Sequence, residues 1–305
     1  MRVHGWMAWI VWMTWMAAIL TCMPAQPCAG ASTAEPPAQL VREVVYNELH
    51  DHQLHGYWRY WITQQSEKQS RVSEQIETVD GPVVRLLASG GQPLSAEADR
   101  QEAERLQRLL ASAEEQARLR ADYAADEKRI GRILALLPEA FLYEEEGEEN
   151  GCYRLRFRPN PSYPPHSIEA RIFHAMQGEL WIDVRTKRLA RLDGTLEENV
   201  DFGYGLLGRL YKGGWFRLQR TQVSPTDWKT ERLEMHMNGR ALLFKTIARE
   251  TSEVRGGFVP VPPRLSLAQG VNLLGASAMQ SARAGSAVAP ASWLPVRTLA
   301  FDTPR

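Results

Sequence analysis

Hydrophobic and polar positions change period several times along the chain, and each change predicts an element. Leu40, Val41, Val44, Val45 and Leu49 recur at helical spacing, the mark of an amphipathic helix. From Gly56 the period falls to two. Trp58, Tyr60 and Ile62 alternate with Tyr57, Arg59, Trp61 and Thr63, which predicts an aromatic-rich strand. "RVSEQIETVDGPVVRLL" predicts two further strands around a turn at Asp80-Gly81. Gly90-Gly91-Gln92-Pro93 then stops the sheet, and Ser95 is placed as a helix N-cap with Glu97 and Asp99 in the first turn. Helical spacing runs through Leu106, Leu109, Leu110, Ala113, Ala117, Tyr123, Ile130, Leu134 and Leu137, with Pro138 expected to end it. The outer faces of this block, residues 95–137, are densely charged, so it reads as a solvated helix or helical hairpin.

From Phe141 to about Pro260 the period is two again. "YRLRFR" alternates without error, which means one buried face and one wet one. Further strands are expected at "IEARIFHA", "GELWIDV", "ARLDGTL", "WFRLQRTQV", "RLEMHM" and "LLFKTIA", with turns at Gln177-Gly178, Arg185 to Arg188, Gly213-Gly214 and Asn238-Gly239. Consecutive strands with tight turns form an antiparallel meander, and helices gathered in one block make the class α+β. Residues 264–305 are dominated by Ala, Ser, Gly, Pro and Leu. A short helix over Leu265 to Leu274 has residues to pack with; the rest is expected to be disordered, because it cannot bury enough apolar surface.

Charge narrows the partners. Lys+Arg and Asp+Glu are both 36 in 305 residues, so no global field steers nucleic acid toward the protein. Arg2 precedes an uncharged run from Gly5 to Met23; Pro24 and Pro27 break it, and Ala29-Gly30-Ala31 offers small residues to a signal peptidase. Residues 1–31 therefore read as a signal peptide and the mature chain as an exported, periplasmic protein. The alternative is an uncleaved anchor helix, since the run approaches the roughly 20 residues of a span. With cleavage, Cys152 is the one cysteine left and no internal disulfide can form. No oligomeric state is specified.

Candidate chemistry is sparse. His50, His52 and His55 have the spacing of a metal-binding H-x-H-x-D-H motif, but Leu54 stands at the acid's position and the segment follows a helix. They are read as a helix terminus, where cationic His interacts favourably with the dipole. Gly203-Tyr204-Gly205-Leu206-Leu207-Gly208 matches G-x-G-x-x-G without the strand and helix that a dinucleotide site needs, and "GRLYKGGWFRLQ" reads as a hairpin instead. Neither G-x-S-x-G, H-E-x-x-H, C-x-x-C nor a P-loop occurs. No cofactor or metal is expected.

The order of elements, with "ETVDG" and "GELWIDVRTKRLARLDGTL" as its strand-turn motifs, resembles the outer-membrane lipoprotein-sorting (LolA-like) periplasmic domains over Leu40 to Pro260. The resemblance implies an incomplete β-barrel over residues 32–263, curled around a covering helix and an apolar cavity, with residues 95–137 as a charged insertion. A curved sheet with one apolar face must cover that face or leave a hollow. The candidates for the hollow are Trp58, Tyr60, Ile62, Tyr153, Leu155, Phe157, Leu180, Ile182, Leu233, Met235 and Phe244. Such residues also make plain core, and both readings stand at this point. The function expected is a non-catalytic envelope protein that binds or carries a lipid, acyl chain or lipidated partner, with transient contact to a membrane surface. The alternatives are an envelope-protein interaction module working through residues 95–137 and, more remotely, a zinc hydrolase using the three histidines.

Overall fold

The computed structural model describes residues 36–50, 56–202, 208–241 and 245–283. The expected signal segment, His52, His55, Gly203, Gly205 and Phe244 lie outside them. The described residues form α1 (Pro37–Leu49), β1 (Tyr57–Ser66), β2 (Ser70–Ile76), β3 (Val83–Ser89), β4 (Gln92–Pro93), α2 (Ala96–Ala111), α3 (Ala113–Ala140), β5 (Phe141–Glu149), β6 (Cys152–Pro159), α4 (Ile168–His174), β7 (Met176–Asp183) and β8 (Leu189–Leu196). They continue with β9 (Val200–Phe202), β10 (Gly208–Leu210), β11 (Trp215–Gln222), β12 (Trp228–Ala241), β13 (Lys245–Val261) and α5 (Leu267–Arg283). The fold is α+β, with one large curved antiparallel sheet that is not closed into a barrel.

Strand order is β4-β3-β2-β1-β13-β12-β11-β8-β7-β6-β5, with β10 pairing β12 off this path and β9 pairing β10. In the meander from β5 onward short turns join β5 to β6, β7 to β8 and β11 to β12, while α4 intervenes between β6 and β7 and the pair β9 and β10 between β8 and β11. The meander's last strand, β13, pairs with β1, so the first and last strands meet in the middle of the sheet.

Register places two cores on opposite faces of this sheet. Directly paired residues share a face and neighbours along a strand alternate. Leu155, Leu180, Leu192, Leu218, Leu233, Glu253 and Gln64 are consecutive cross-strand partners and so lie in one row on the first face. Helix α1 covers part of this face: Leu40, Val41, Val44 and Val45 pack with Leu155, Leu180, Ile182, Phe157 and Phe141 in the first core. Ile76 pairs with Arg59, which has the opposite parity to Gln64 on β1, so Ile76 and its partner Val83 lie on the second face. There Leu106 and Leu109 of α2 and Leu267, Val271 and Leu274 of α5 close the second core. Helix α3 touches both cores, through Leu119 at one end and Leu134, Leu136 and Leu137 at the other.

Several expectations are corrected. "IEARIFHA" is helix α4, because Ser167 caps it by accepting from Ala170 N, with Glu169 in the first turn and Arg171 and His174 in the last. Its apolar residues fit either period, and the cap and dipole charges decide for helix. The block 95–137 is helical, as expected, and divides into two helices at Ser112, which ends α2 and caps α3 by accepting from Glu115 N. Pro138 sits within the last turn of α3 rather than ending it. Asn238-Gly239 is inside β12, not a turn: β10 crosses so close that a Cβ at Gly239 would stand 2.5 Å from the Arg209 carbonyl. Gly178 likewise lies within β7, paired to Gly194. "GRL" and "WFRLQ" are not a hairpin, since β10 pairs with β9 and β12 instead. The short helix expected over Leu265 to Leu274 is present in α5 and packs: Leu265, Leu267, Val271 and Leu274 are buried, and Val79 N donates to the Leu265 carbonyl at 2.9 Å. Which face these apolar residues bury is set by the strands and helix they meet.

Candidate functional site

The first face is covered unevenly. Pro37 at the start of α1 has a φ suited to a helix and no N–H to waste, so the helix begins there. Its far end is tied to the sheet by Glu48, whose carboxylate accepts from Arg188 Nε and Nη2 at 3.0 Å each and from Leu189 N at 3.1 Å. Arg220 Nη1 of β11 lies 2.5 Å from the same carboxylate. Burial disfavours the Glu48 charge, but the two guanidiniums outweigh it and hold the carboxyl below its ordinary value. Asn47 adds a bond to the Lys187 carbonyl.

Cover runs out away from this anchor. Along the leucine row, exposure rises from 0% at Leu155 and 5% at Leu180 to 37% at Leu233. Phe216, Leu218 and Met237 pack against the edge of the first core, while Leu233 and Met235 lie beyond it. These five side chains form an apolar strip on β11 and β12. The row then turns polar. Glu253 is buried, accepting from Gln64 Nε2 at 2.7 Å and from Arg255 Nε at 2.6 Å.

The expected cavity residues divide accordingly. Leu155, Phe157, Leu180 and Ile182 are buried in the first core, and Tyr153 packs beside them with the Lys187 ammonium 4.5 Å from its ring centroid. Trp58, Tyr60 and Ile62 form a separate small cluster with Val223 and Phe258. Their polar ends are satisfied: Tyr60 Oη accepts from Gln75, and Trp58 Nε1 donates to Asp227 at 3.2 Å. Leu233 and Met235 line the strip; Phe244 is outside the described residues. Two open clefts, of about 340 and 500 Å³, are lined by residues such as Gln177, Glu179, Asp193 and Arg217 or Arg185, Gln222 and Ser224, and none of the expected residues lines either.

Sequence reasoning missed the polar groups that organise this face. Glu48, Arg188 and Arg220 are far apart in the chain and carry no motif. Asp227 is another: buried, it accepts from Gly56 N at 2.7 Å and from Trp58, Ser224 and Thr226 side chains, fixing where β1 begins. Burial opposes its charge, yet these donors keep its carboxyl below the ordinary value. A lone acid flanked by Ser and Thr in a turn was the one available signal.

His50 stacks on Tyr46 with ring centroids 4.0 Å apart, and its Nδ1 lies 2.7 Å from the Tyr46 carbonyl. A carbonyl only accepts, so Nδ1 carries the hydrogen and the ring closes the end of α1. Among the described residues no group of three or more His, Cys, Asp or Glu is placed to hold a metal. Cys152 is free and half-buried, and burial raises its thiol pKa, the opposite of a nucleophile's need. The block 95–137 is structural at its base: Leu106 and Leu109 are core, Arg85 Nη2 donates to Asp99, and Leu86 N donates to Glu102.

No family model matches the chain, and no curated protein matches it. Among solved structures, a DUF1329 family protein from Desulfovibrio piger aligns at 9% identity and a TM-score of 0.26, over 74% of this chain and 94% of that one. A likeness of that degree decides neither fold nor function.

Proposed function

We propose that this is an exported, non-catalytic envelope protein that holds an acyl chain, of a lipid or a lipidated partner, against the apolar strip at Leu233 and Met235. The observation that carries the reading is the leucine row, whose apolar character continues after its cover ends. A large apolar side chain left open in line with a core is the informative exception to ordinary surface composition when its neighbours are apolar too. Met235 and Met237 suit the role, because thioethers adapt to irregular apolar partners. Export rests on the order Arg2, apolar run, prolines and Ala29-Gly30-Ala31. The resemblance to lipoprotein-sorting domains points the same way.

The test is a fluorescent acyl probe titrated onto the purified protein, with Leu233→Ser alongside. Leu233 is partly exposed, so the change should cost about 1–2 kcal/mol of stability and leave the protein folded, yet it should weaken probe binding about tenfold. A protein that binds no acyl probe, or binds it unchanged after Leu233→Ser, removes the proposal. Cell fractionation with intact mass tests export, with a mature terminus expected near Ser32.

A further inference from the structure

The polar end of the strip says what kind of amphiphile it takes. Leu233 pairs with Glu253, and Arg255 lies two residues further on the same strand, so its side chain is on the same face. Diagonal neighbours of this sort have Cα atoms about 7–8 Å apart, within reach of an arginine. Of the ion pair, the carboxylate is the inner member: the Glu253 side chain is 12% exposed against 29% for Arg255. Both Glu253 oxygens are also engaged, one by Gln64 and the other by Arg255. A ligand head arriving over Leu233 therefore meets a guanidinium edge rather than a carboxylate.

Along β12, Leu233 to Met237 spans four residue steps, about 14 Å of apolar floor, comparable to an extended dodecyl chain. We propose that the strip binds a single-chain carboxylate amphiphile, with its hydrocarbon over Leu233, Met235 and Met237 and its carboxylate on Arg255. A guanidinium fork matches a carboxylate in plane and in spacing, which a point charge does not. Glu253 tempers the affinity by competing for the same fork. This assignment rests on the acyl-chain reading above and adds the head group to it.

Displacement of a fluorescent acyl probe by dodecanoate, dodecanol, dodecyl phosphate and dodecyltrimethylammonium separates the two claims. Dodecanoate should bind most tightly, about tenfold better than dodecanol, the size of one charge-assisted hydrogen bond. Arg255→Gln should erase that preference while leaving dodecanol binding unchanged, which also shows that the variant is folded. Glu253→Gln should act oppositely, tightening dodecanoate several-fold by freeing the fork. If none of the four displaces the probe and none binds, the acyl-chain reading itself fails. If dodecanol binds as well as dodecanoate and Arg255→Gln changes nothing, the chain site stands and the head-group assignment is wrong. Tighter binding of the phosphate or the ammonium compound equally overturns the carboxylate.

Discussion

The core under α1 and the core under α2 and α5 occupy opposite faces of one sheet and are closed by different means. In the first, alternating strands meet an amphipathic helix, and a buried Glu48 between Arg188 and Arg220 fixes where that helix ends. In the second, helices with charged outer faces each lend a few apolar residues, and ties run to α2: buried Arg85 to Asp99, Arg105 to the Val84 carbonyl, Leu86 N to Glu102. The first core is continuous with an open apolar strip; the second is closed by segments from the middle and the far end of the chain. A sheet with both faces apolar in different halves needs two sets of helices, and α3 joins them.

The sharpest way to break this comparison is to end the chain at Pro263. Loss of Leu265, Leu267, Val271 and Leu274 removes about 6 kcal/mol or more of burial. Hydrogen exchange should then show β2, β3 and α2 unprotected while β6 to β8 keep most of theirs. Uniform loss, or none, would mean that the two cores are not separate. Limited proteolysis of the intact chain should accordingly stall beyond Leu274 rather than near residue 263.

Glu48→Ala tests the first core alone. It removes the carboxylate that Arg188 and Arg220 share, a change that costs about 3–5 kcal/mol in such buried pairs. Urea unfolding should show it, and a loss under about 1 kcal/mol would mean that the guanidiniums are solvated. The pH dependence follows from the depressed carboxyl. The unfolded chain takes up the Glu48 proton at a higher pH than the folded one, so the stabilisation is full above the ordinary carboxylate range and is lost as pH falls through the folded value. Glu48→Gln should flatten that acid limb.

Leu106→Ala should cost the second core about 2–5 kcal/mol, as deletion of a fully buried leucine does. Its exchange signature should fall in α2, α5 and β2, and protection lost from β6 or β7 instead would contradict the division into faces. The smallest effect belongs to the hinge. Ser112→Ala removes a cap, worth about 1 kcal/mol, and should loosen the start of α3 without moving either core. A thermal midpoint unchanged within error would show that α3 is set by its packing alone.

What the sequence determined by itself is local. The period-two stretches around Tyr60, Leu155 and Leu180 define strands, the spacing of Leu40 to Val45 defines α1, and Ser95 defines a helix start, because side-chain alternation and capping are decided within a few residues. Candidate residues from Tyr153 to Ile182 were legible as one apolar face. Whether that face is core or open site was not, since it depends on where α1 stops. Tertiary structure alone decided that β13 pairs with β1, that Ile76 and Val83 face away from Leu155, and that Glu48 meets Arg188 and Arg220. It also turned Gly178 and Gly239 from apparent turns into close approaches, and gave Leu267 to Leu274 a surface to bury. Each of these is a contact between residues far apart in the chain, and a chain's pattern encodes which faces are apolar, not which of them will meet.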